Sequence, residues 1–326
     1  MDLVRAIYRV AVIPGAVAPY DRVNMKVYYP ARFGDTPEER NSGVIPARAE
    51  SGPYPVVILL PGINLGPENT AWLALLLADA GYITVAATAI SEEMPGYISI
   101  SPGLVFDQLK PAGYAKAPSC SLITPILAVL AQLQKESVIA GLLDLDQVVL
   151  GGHSAGGTTA LLNANPQWFP GVRASFAYAA HSGASMALGW PAETVLPLPV
   201  GVPTLLLGGD HDGVIASSSH RYGSDKADPL HSITRTFDEG VQAADGQSHL
   251  VILKGANHFT FAATADGSTG REFLDWDSGA DSDALRAHLA GLIVDFLAST
   301  LTRDEAALQR LDDAKSDARV LVARSK

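Results

Sequence analysis

The stretch "GGHSAGG", residues 151–157, holds one hydroxyl and one imidazole among four glycines. A serine hydroxyl is a weak nucleophile unless a base takes its proton, an acid orients that base, and hydrogen-bond donors await the oxyanion. In a G-x-S-x-G turn a strand passes abruptly into a helix, so the residues two before and two after the serine must be very small. Gly152 and Gly156 occupy these positions around Ser154. The stretch predicts a nucleophilic serine, with a glycine-rich loop as the alternative.

Two later loops offer the acid and the base that such a serine needs, in the chain order acid and then histidine. Asp210 and Asp212 follow the apolar run "TLLLGG", and His258 follows "HLVILKG". An imidazole can take the Ser154 proton and return it to the leaving group, while a carboxylate fixes its tautomer. We prefer Asp212 because it lies further into its loop than Asp210 does. The alternative is that both aspartates make turn hydrogen bonds.

Donors for the oxyanion are expected from two backbone amides, one directly after the nucleophile and one in the loop after the third strand. Ala155 and Ile63 hold these positions, and the glycine before Ile63 lets the backbone approach a substrate closely. Further side chains are expected near the substrate, with turn or packing roles as the alternative: Asn64, His153, Trp190 and Phe259.

The chain offers little for a metal or a disulfide. Cys120 is the only cysteine, and its position at the start of an apolar helix favours a structural role. The loop 275–283 spaces four aspartates like a calcium loop, but glycine replaces one ligand and no terminal Glu follows, so a solvated acidic loop is favoured. Asp210 and Asp212 form a D-x-D pair without the histidine spacing of a metal site. We expect no metal and no cofactor.

Apolar runs of strand length alternate with helical patterns, which predicts an α/β fold: a mostly parallel twisted sheet of about eight strands with helices on both faces. "DQVVLGG" before Ser154 has the pattern of a buried strand, and "AGGTTALLNA" after it that of a helix. We expect one domain over residues 1–302 without a large separate cap, followed by a charged helical tail over 303–326. Three loops are expected to shape the pocket, namely 91–118, 181–201 and 213–248.

Charge and hydropathy exclude several classes of partner. The net charge of -11 argues against nucleic acid, whose binding relies on clustered Lys and Arg. No uninterrupted apolar stretch reaches the roughly 18 residues that span a bilayer. The first 20 residues carry an early acid and two arginines, so they lack the layout of a secretory signal. We therefore expect a cytoplasmic protein with a small-molecule substrate, and the oligomeric state stays open.

Four segments in this order, "LLPGINLGPENTAWLALLLADAGY", "GGHSAGG", "LLLGGDHDGVI" and "LKGANHF", resemble the α/β-hydrolase superfamily. The chain is most similar to the branch that holds chlorophyllases, platelet-activating-factor acetylhydrolases and cutinase-like polyester hydrolases. The resemblance implies a triad of Ser154, Asp212 and His258, with oxyanion amides at Ile63 and Ala155. Chlorophyllases usually carry Arg and polyester hydrolases Met where Ala155 stands, and the latter have an aromatic residue in place of Ile63. Neither substrate class is therefore implied.

Residues and resemblance together predict a serine carboxylesterase that works through an acyl-enzyme intermediate. The same triad can support lactone or amide hydrolysis, or a perhydrolase reaction in which a different nucleophile meets the acyl-enzyme. A non-catalytic binding protein on the same fold is the alternative from another class, although such a protein has no need of nucleophile, acid, base and elbow glycines together.

Overall fold

In the computed structural model the chain is a mixed α/β protein built on one ten-stranded sheet. The structure describes residues 1–94, 96–242, 246–263 and 267–326, so residues 95 and 243–245 of the expected pocket loops lie outside the described residues. The described strands are β1 (Asp2–Val12), β2 (Arg22–Arg32), β3 (Tyr54–Leu60), β4 (Ile83–Met94), β5 (Tyr97–Ser101), β6 (Leu143–His153), β7 (Val172–Tyr178), β8 (Thr204–Gly209), β9 (His249–Leu253) and β10 (Val320–Ser325).

The strand order is β1-β2-β4-β3-β6-β7-β8-β9-β10, with β5 paired to β4. From β4 to β9 neighbouring strands run parallel, whereas β1, β2, β5 and β10 pair antiparallel. The predicted mostly parallel sheet is thereby confirmed. Because the carboxyl ends of parallel strands meet at one edge of a sheet, the loops after β3, β6, β8 and β9 open at the same edge.

Helices pack on both faces of this sheet, as predicted. Val56 and Ile58 of β3 belong to a buried cluster with α3, while Val57 and Leu59 belong to a cluster on the other face with α2 and α7. This alternation follows from the two-residue period of a strand. The described α-helices are α1 (Pro37–Ser42), α2 (Ala71–Asp79), α3 (Ile123–Leu133), α4 (Ala155–Asn163), α5 (Gly213–Ser218), α6 (His231–Arg235), α7 (Ser282–Leu301) and α8 (Glu305–Asp313).

One helix of the described chain, α7, is long and apolar enough to cross a membrane by length and composition alone, with a mean hydropathy of 1.4. Its apolar side chains lie instead in the cluster under the sheet, where Leu289, Ile293 and Phe296 are fully buried. A helix that covers a buried sheet needs such a composition, and α7 has the packing of a core helix.

Two strands were not foreseen, so the described sheet has ten rather than about eight. β5 lies inside the expected connection 91–118 and pairs with the end of β4. β10 lies inside the segment 303–326, which is helical only in part: α8 is followed by a strand that pairs antiparallel with β9. Short edge strands take their conformation from the neighbour that they pair with, and a local pattern reveals little of that.

Candidate active site

Ser154 occupies a strained turn between a strand and a helix. β6 ends at His153, α4 begins at Ala155, and Ser154 between them has φ +54° and ψ −126°. L-residues rarely adopt a positive φ, and such strain persists only where the surroundings enforce it. The strand, turn and helix predicted around this serine are confirmed.

The glycines on either side permit the turn. A Cβ atom on Gly152 would lie 2.5 Å from the carbonyl carbon of Gly156, and one on Gly156 would lie 2.2 Å from the carbonyl oxygen of Leu60. Contacts this short involve backbone atoms, which cannot move aside as a flexible side chain can. The turn brings α4 directly against the end of β3, so both positions require glycine as predicted.

The structure brings Ser154, His258 and Asp212 into one hydrogen-bonded chain. The Ser154 Oγ lies 3.0 Å from His258 Nε2, and His258 Nδ1 lies 2.9 Å and 3.0 Å from the two carboxylate oxygens of Asp212. A carboxylate only accepts hydrogen bonds, so Nδ1 carries the proton and Nε2 is left to accept from the serine hydroxyl. Asp212 and His258 are each 2% exposed, whereas Ser154 is partly open.

Of the two candidate acids, Asp212 and not Asp210 faces the histidine. Asp212 caps α5 by accepting a hydrogen bond from the Ile215 amide at 2.8 Å, which fixes its carboxylate. Asp210 accepts from the Gly255 amide at 2.6 Å and contacts His211 Nδ1 at 2.7 Å. Asp210 therefore ties the loop after β8 to the loop after β9.

Two backbone amides beside Ser154 are free to bind an oxyanion. Ile63 follows β3 and lines a small cavity with Ser154 and His258, while Ala155 is the first residue of α4. Within the described part of the chain, neither the Ile63 amide nor the Ala155 amide donates a hydrogen bond to the protein. The amide at a helix start also lies at the positive end of the helix dipole.

Three of the four expected pocket residues line this cavity: Asn64, His153 and Phe259. His153 donates from Nε2 to the carbonyl oxygen of His258 at 2.9 Å, which holds the backbone of the base. Asn64 donates to the Thr269 carbonyl at 3.0 Å, and the Phe259 ring packs edge-on against the His258 ring. These side chains therefore support the site as well as bordering it.

Trp190 does not line the cavity. Its indole N–H donates to the Leu109 carbonyl at 2.7 Å, and its ring packs edge-on against Tyr114 at 5.8 Å. A buried indole needs a partner for its N–H, and Leu109 supplies one away from the serine. Trp190 thus joins the loop after β5 to the loop after β7, which is the packing alternative.

Three of the four aspartates in the acidic loop 275–283 make local contacts or face solvent. Asp281 caps α7, Asp283 pairs with Arg286, and Asp277 is exposed. No group of three or more His, Cys, Asp or Glu that could hold a metal occurs among the residues whose placement is described. Elsewhere Cys120 is buried and donates to the Pro102 carbonyl, and burial raises the pKa of its thiol to about 11.

Asp275 is a site residue that sequence reasoning missed. Its carboxylate accepts from the Gly213 amide at 2.9 Å and from the Phe259 amide at 3.1 Å. Those amides directly follow Asp212 and His258, so one partly buried carboxylate fastens the loop after β8 (the acid loop) to the loop after β9 (the histidine loop). Burial is the larger influence on Asp275 and raises its pKa, while the bond from Phe259 opposes this. No local signal marks this residue, since its partners lie 62 and 16 positions away.

Asp275→Asn is expected to lower kcat for ester hydrolysis by about 10- to 100-fold with little change in KM. One of the two amides, Gly213 or Phe259, loses its acceptor, and His258 then moves away from Ser154. An amide has one acceptor oxygen where the carboxylate has two. Steady-state kinetics on a 4-nitrophenyl ester measures the split. Asp277→Asn, at an exposed aspartate two residues away, is the matched control. An equally large loss in Asp277→Asn would show that Asp275 does not position the histidine.

Buried neutral histidines predict a loss of stability in acid. Burial lowers the pKa of His181 to about 4 and lowers the pKa of His153 well below its ordinary value. Below pH 6.5 the unfolded chain then binds more protons than the folded protein, so the free energy of unfolding falls as the pH falls from 6.5 toward 4. His181 alone accounts for about 2 kcal/mol of that loss at pH 5.

Urea unfolding at pH 5, 6 and 7 measures this dependence. His181→Gln retains an acceptor for the Gly183 amide, which donates to His181 Nδ1 at 3.0 Å, but does not titrate. Its free energy of unfolding should change less between pH 7 and pH 5 than that of the wild type. The exposed His220→Gln should keep the wild-type slope, and equal slopes in all three proteins would contradict the prediction.

The cavity at the site is small, about 40 Å³, which accommodates only a few water molecules. Its walls come from the loops after β3, β6 and β9, with Tyr97 of β5 and the segment 269–271 closing it. A substrate must therefore displace some of these side chains to bring its carbonyl carbon to Ser154.

Comparison with known proteins identifies no family for the chain. No model of a known protein family matches it, and no curated protein matches it.

Proposed function

We propose that the protein is a serine hydrolase of the α/β-hydrolase superfamily that cleaves carboxylic esters. The observation that carries this proposal is the hydrogen-bonded chain from Asp212 through His258 to Ser154, with the serine on a strained turn at the carboxyl edge of a parallel sheet. Structural serines have no need of a buried base and a buried acid in series, and φ +54° at Ser154 costs stability that function would justify.

In the proposed reaction Ser154 Oγ attacks the ester carbonyl carbon as His258 Nε2 takes its proton. The oxyanion then accepts hydrogen bonds from the amides of Ile63 and Ala155. His258 gives its proton to the departing alkoxide, which leaves as an alcohol, and the acyl group stays on Ser154 Oγ as the acyl-enzyme. His258 then takes a proton from water as the water oxygen attacks the acyl carbonyl carbon, and it returns that proton to Ser154 Oγ as the carboxylic acid leaves. Asp212 stabilises the imidazolium in both halves.

An ester is the substrate class that this site supports best. An alkoxide is a better leaving group than an amide anion, so ester cleavage depends less on the proton that His258 delivers. Lactones are cyclic esters and use the same steps, and a perhydrolase reaction differs only in the second nucleophile.

A fluorophosphonate probe tests the proposal, because it forms a covalent adduct only with an activated serine. Mass spectrometry of the labelled protein is expected to show one adduct, on the peptide that contains Ser154, and none after heat denaturation. Hydrolysis of 4-nitrophenyl acetate is expected alongside. An intact, folded protein that neither takes up the probe nor hydrolyses the ester would support the binding-protein alternative.

A further inference from the structure

An arginine lies in the cavity of the candidate active site. Arg271 lines it together with Ser154, His258 and Ile63, and its side chain is partly buried. The guanidinium of Arg271 donates one long hydrogen bond, 3.4 Å from Nη1 to the hydroxyl of Ser218. An arginine carries five N–H donors, so the described residues use only a small part of the hydrogen-bonding capacity of Arg271.

No salt bridge to Arg271 occurs among the residues that the structure describes, although the chain has 34 acidic residues. The carboxylate of the adjacent Glu272 lies against Gly270 instead, so close that a Cβ atom on Gly270 would be 2.5 Å from its oxygens. The nearby Asp275 carboxylate is engaged by backbone amides.

Burial is the largest influence on Arg271 and lowers its pKa, and the like charge of Arg221 lowers it further. The Asp212 carboxylate attracts Arg271 but forms no salt bridge with it. A guanidinium stays charged in proteins, so the site holds a partly dehydrated cation without an ion-pair partner among the described residues. Such a cation costs stability unless a ligand pairs with it. The other side chains that line the cavity carry no permanent charge: Ile63, Asn64, Leu65, Tyr97, His153, Ser154, Val214, His258, Phe259 and Thr269.

We propose that the substrate is an ester that bears a carboxylate group, and that Arg271 binds this carboxylate while the ester carbonyl lies at Ser154. The proposal rests on the proposed esterase function and names its substrate class. A planar guanidinium matches a carboxylate with two parallel N–H···O bonds. One arginine in a cavity of this size balances a single negative charge, which a carboxylate supplies. Arg271 thus sets specificity and takes no part in proton transfer.

Matched pairs of esters test the inference on the full chain. In the first pair the acyl part ends in a carboxylate (monoethyl glutarate) or in a methyl group (ethyl pentanoate). In the second pair the alcohol part ends in a carboxylate (4-acetoxybutanoate) or in a methyl group (butyl acetate). A pH-stat follows the acid released. The wild type is expected to favour the anionic member of at least one pair by about 10-fold or more in kcat/KM.

Arg271→Gln is expected to lower kcat/KM for that anionic ester by about 10- to 100-fold and to change the neutral ester by less than about threefold. Arg271→Lys should restore part of the preference, since it keeps the charge and loses the fork. Arg173→Gln, at an exposed arginine that bonds only to the Pro170 carbonyl among the described contacts, is the control. Equal losses on neutral and anionic esters in Arg271→Gln would overturn the inference, as would equal rates of both in the wild type.

Binding of glutarate separates this inference from the esterase proposal, because it needs no turnover. Thermal unfolding of the wild type is expected to shift upward with added glutarate, and the shift should disappear in Arg271→Gln. If no ester is hydrolysed but this shift is seen, the esterase proposal fails and the carboxylate site stands. If esters are hydrolysed and glutarate stabilises both proteins equally or neither, the carboxylate site fails and the esterase stands.

Discussion

Ser154→Ala is expected to lower kcat/KM for 4-nitrophenyl butyrate by about 10⁴- to 10⁶-fold. The substitution removes the oxygen that would form the proposed acyl-enzyme, while the proposed oxyanion amides of Ile63 and Ala155 stay in place and should support a small residual rate. Because φ at position 154 is +54° for either residue, the strain is unchanged and the fold should persist. Initial rates at several substrate concentrations measure the loss, and circular dichroism checks the fold.

The control for this variant is Ser217→Ala, at an exposed serine that follows the acid loop. Its rate should equal that of the wild type within about twofold. Full activity in Ser154→Ala would refute the nucleophile assignment. Loss of activity with loss of circular dichroism would instead show that the elbow is structural, and fluorophosphonate labelling of the wild type then decides whether the serine is also reactive.

Asp212→Asn is expected to lower kcat by about 10⁴-fold with KM nearly unchanged. The amide oxygen can still accept from Ile215 and cap α5, which turns the amide NH₂ toward His258 Nδ1. An NH₂ donor requires Nδ1 to be the acceptor, so the ring proton moves to Nε2, and the imidazole can no longer take the proton of Ser154. The substitution thus preserves the fold but leaves His258 in the tautomer that cannot act as the base.

The matched control for Asp212→Asn is Asp210→Asn, two residues earlier in the same loop. Asp210 contacts His211 and the Gly255 amide and does not touch His258, so its kcat should fall by less than about tenfold. A larger loss in Asp210→Asn than in Asp212→Asn would reverse the assignment of the acid. Both variants are compared by steady-state kinetics at one pH, with their melting temperatures recorded.

The elbow could be predicted because its requirements are local. A strand, a turn and a helix follow one another within a few residues, and the need for glycine at 152 and 156 arises from backbone contacts inside the turn. The choice of Asp212 over Asp210 rested on position in a loop, and the structure places the carboxylate of Asp212 against His258. Chain order and strand ends therefore carry much of the geometry of the candidate site.

Residues whose roles depend on distant partners could not be found in this way. Asp275 reads as one of several aspartates in an acidic loop, and only the fold reveals that it joins the acid loop to the histidine loop. Arg271 follows the run of small residues 267–270, and no motif in the sequence marks it. For Trp190 the prediction of a pocket role was wrong. An aromatic residue in a proline-rich loop suits a pocket wall, but its hydrogen-bond partner Leu109 lies 81 positions away and holds the side chain outside the cavity.

The pairing of β10 with β9 also makes the position of the proposed base depend on a distant segment of the chain. β9 leads to His258, and its outer edge is covered by Val320–Ser325. Without β10, β9 would pair with β8 alone and would expose a row of unpaired backbone groups. The strand before His258 therefore depends on a short antiparallel edge strand, whereas the strand before Ser154 lies between two parallel neighbours in the interior of the sheet.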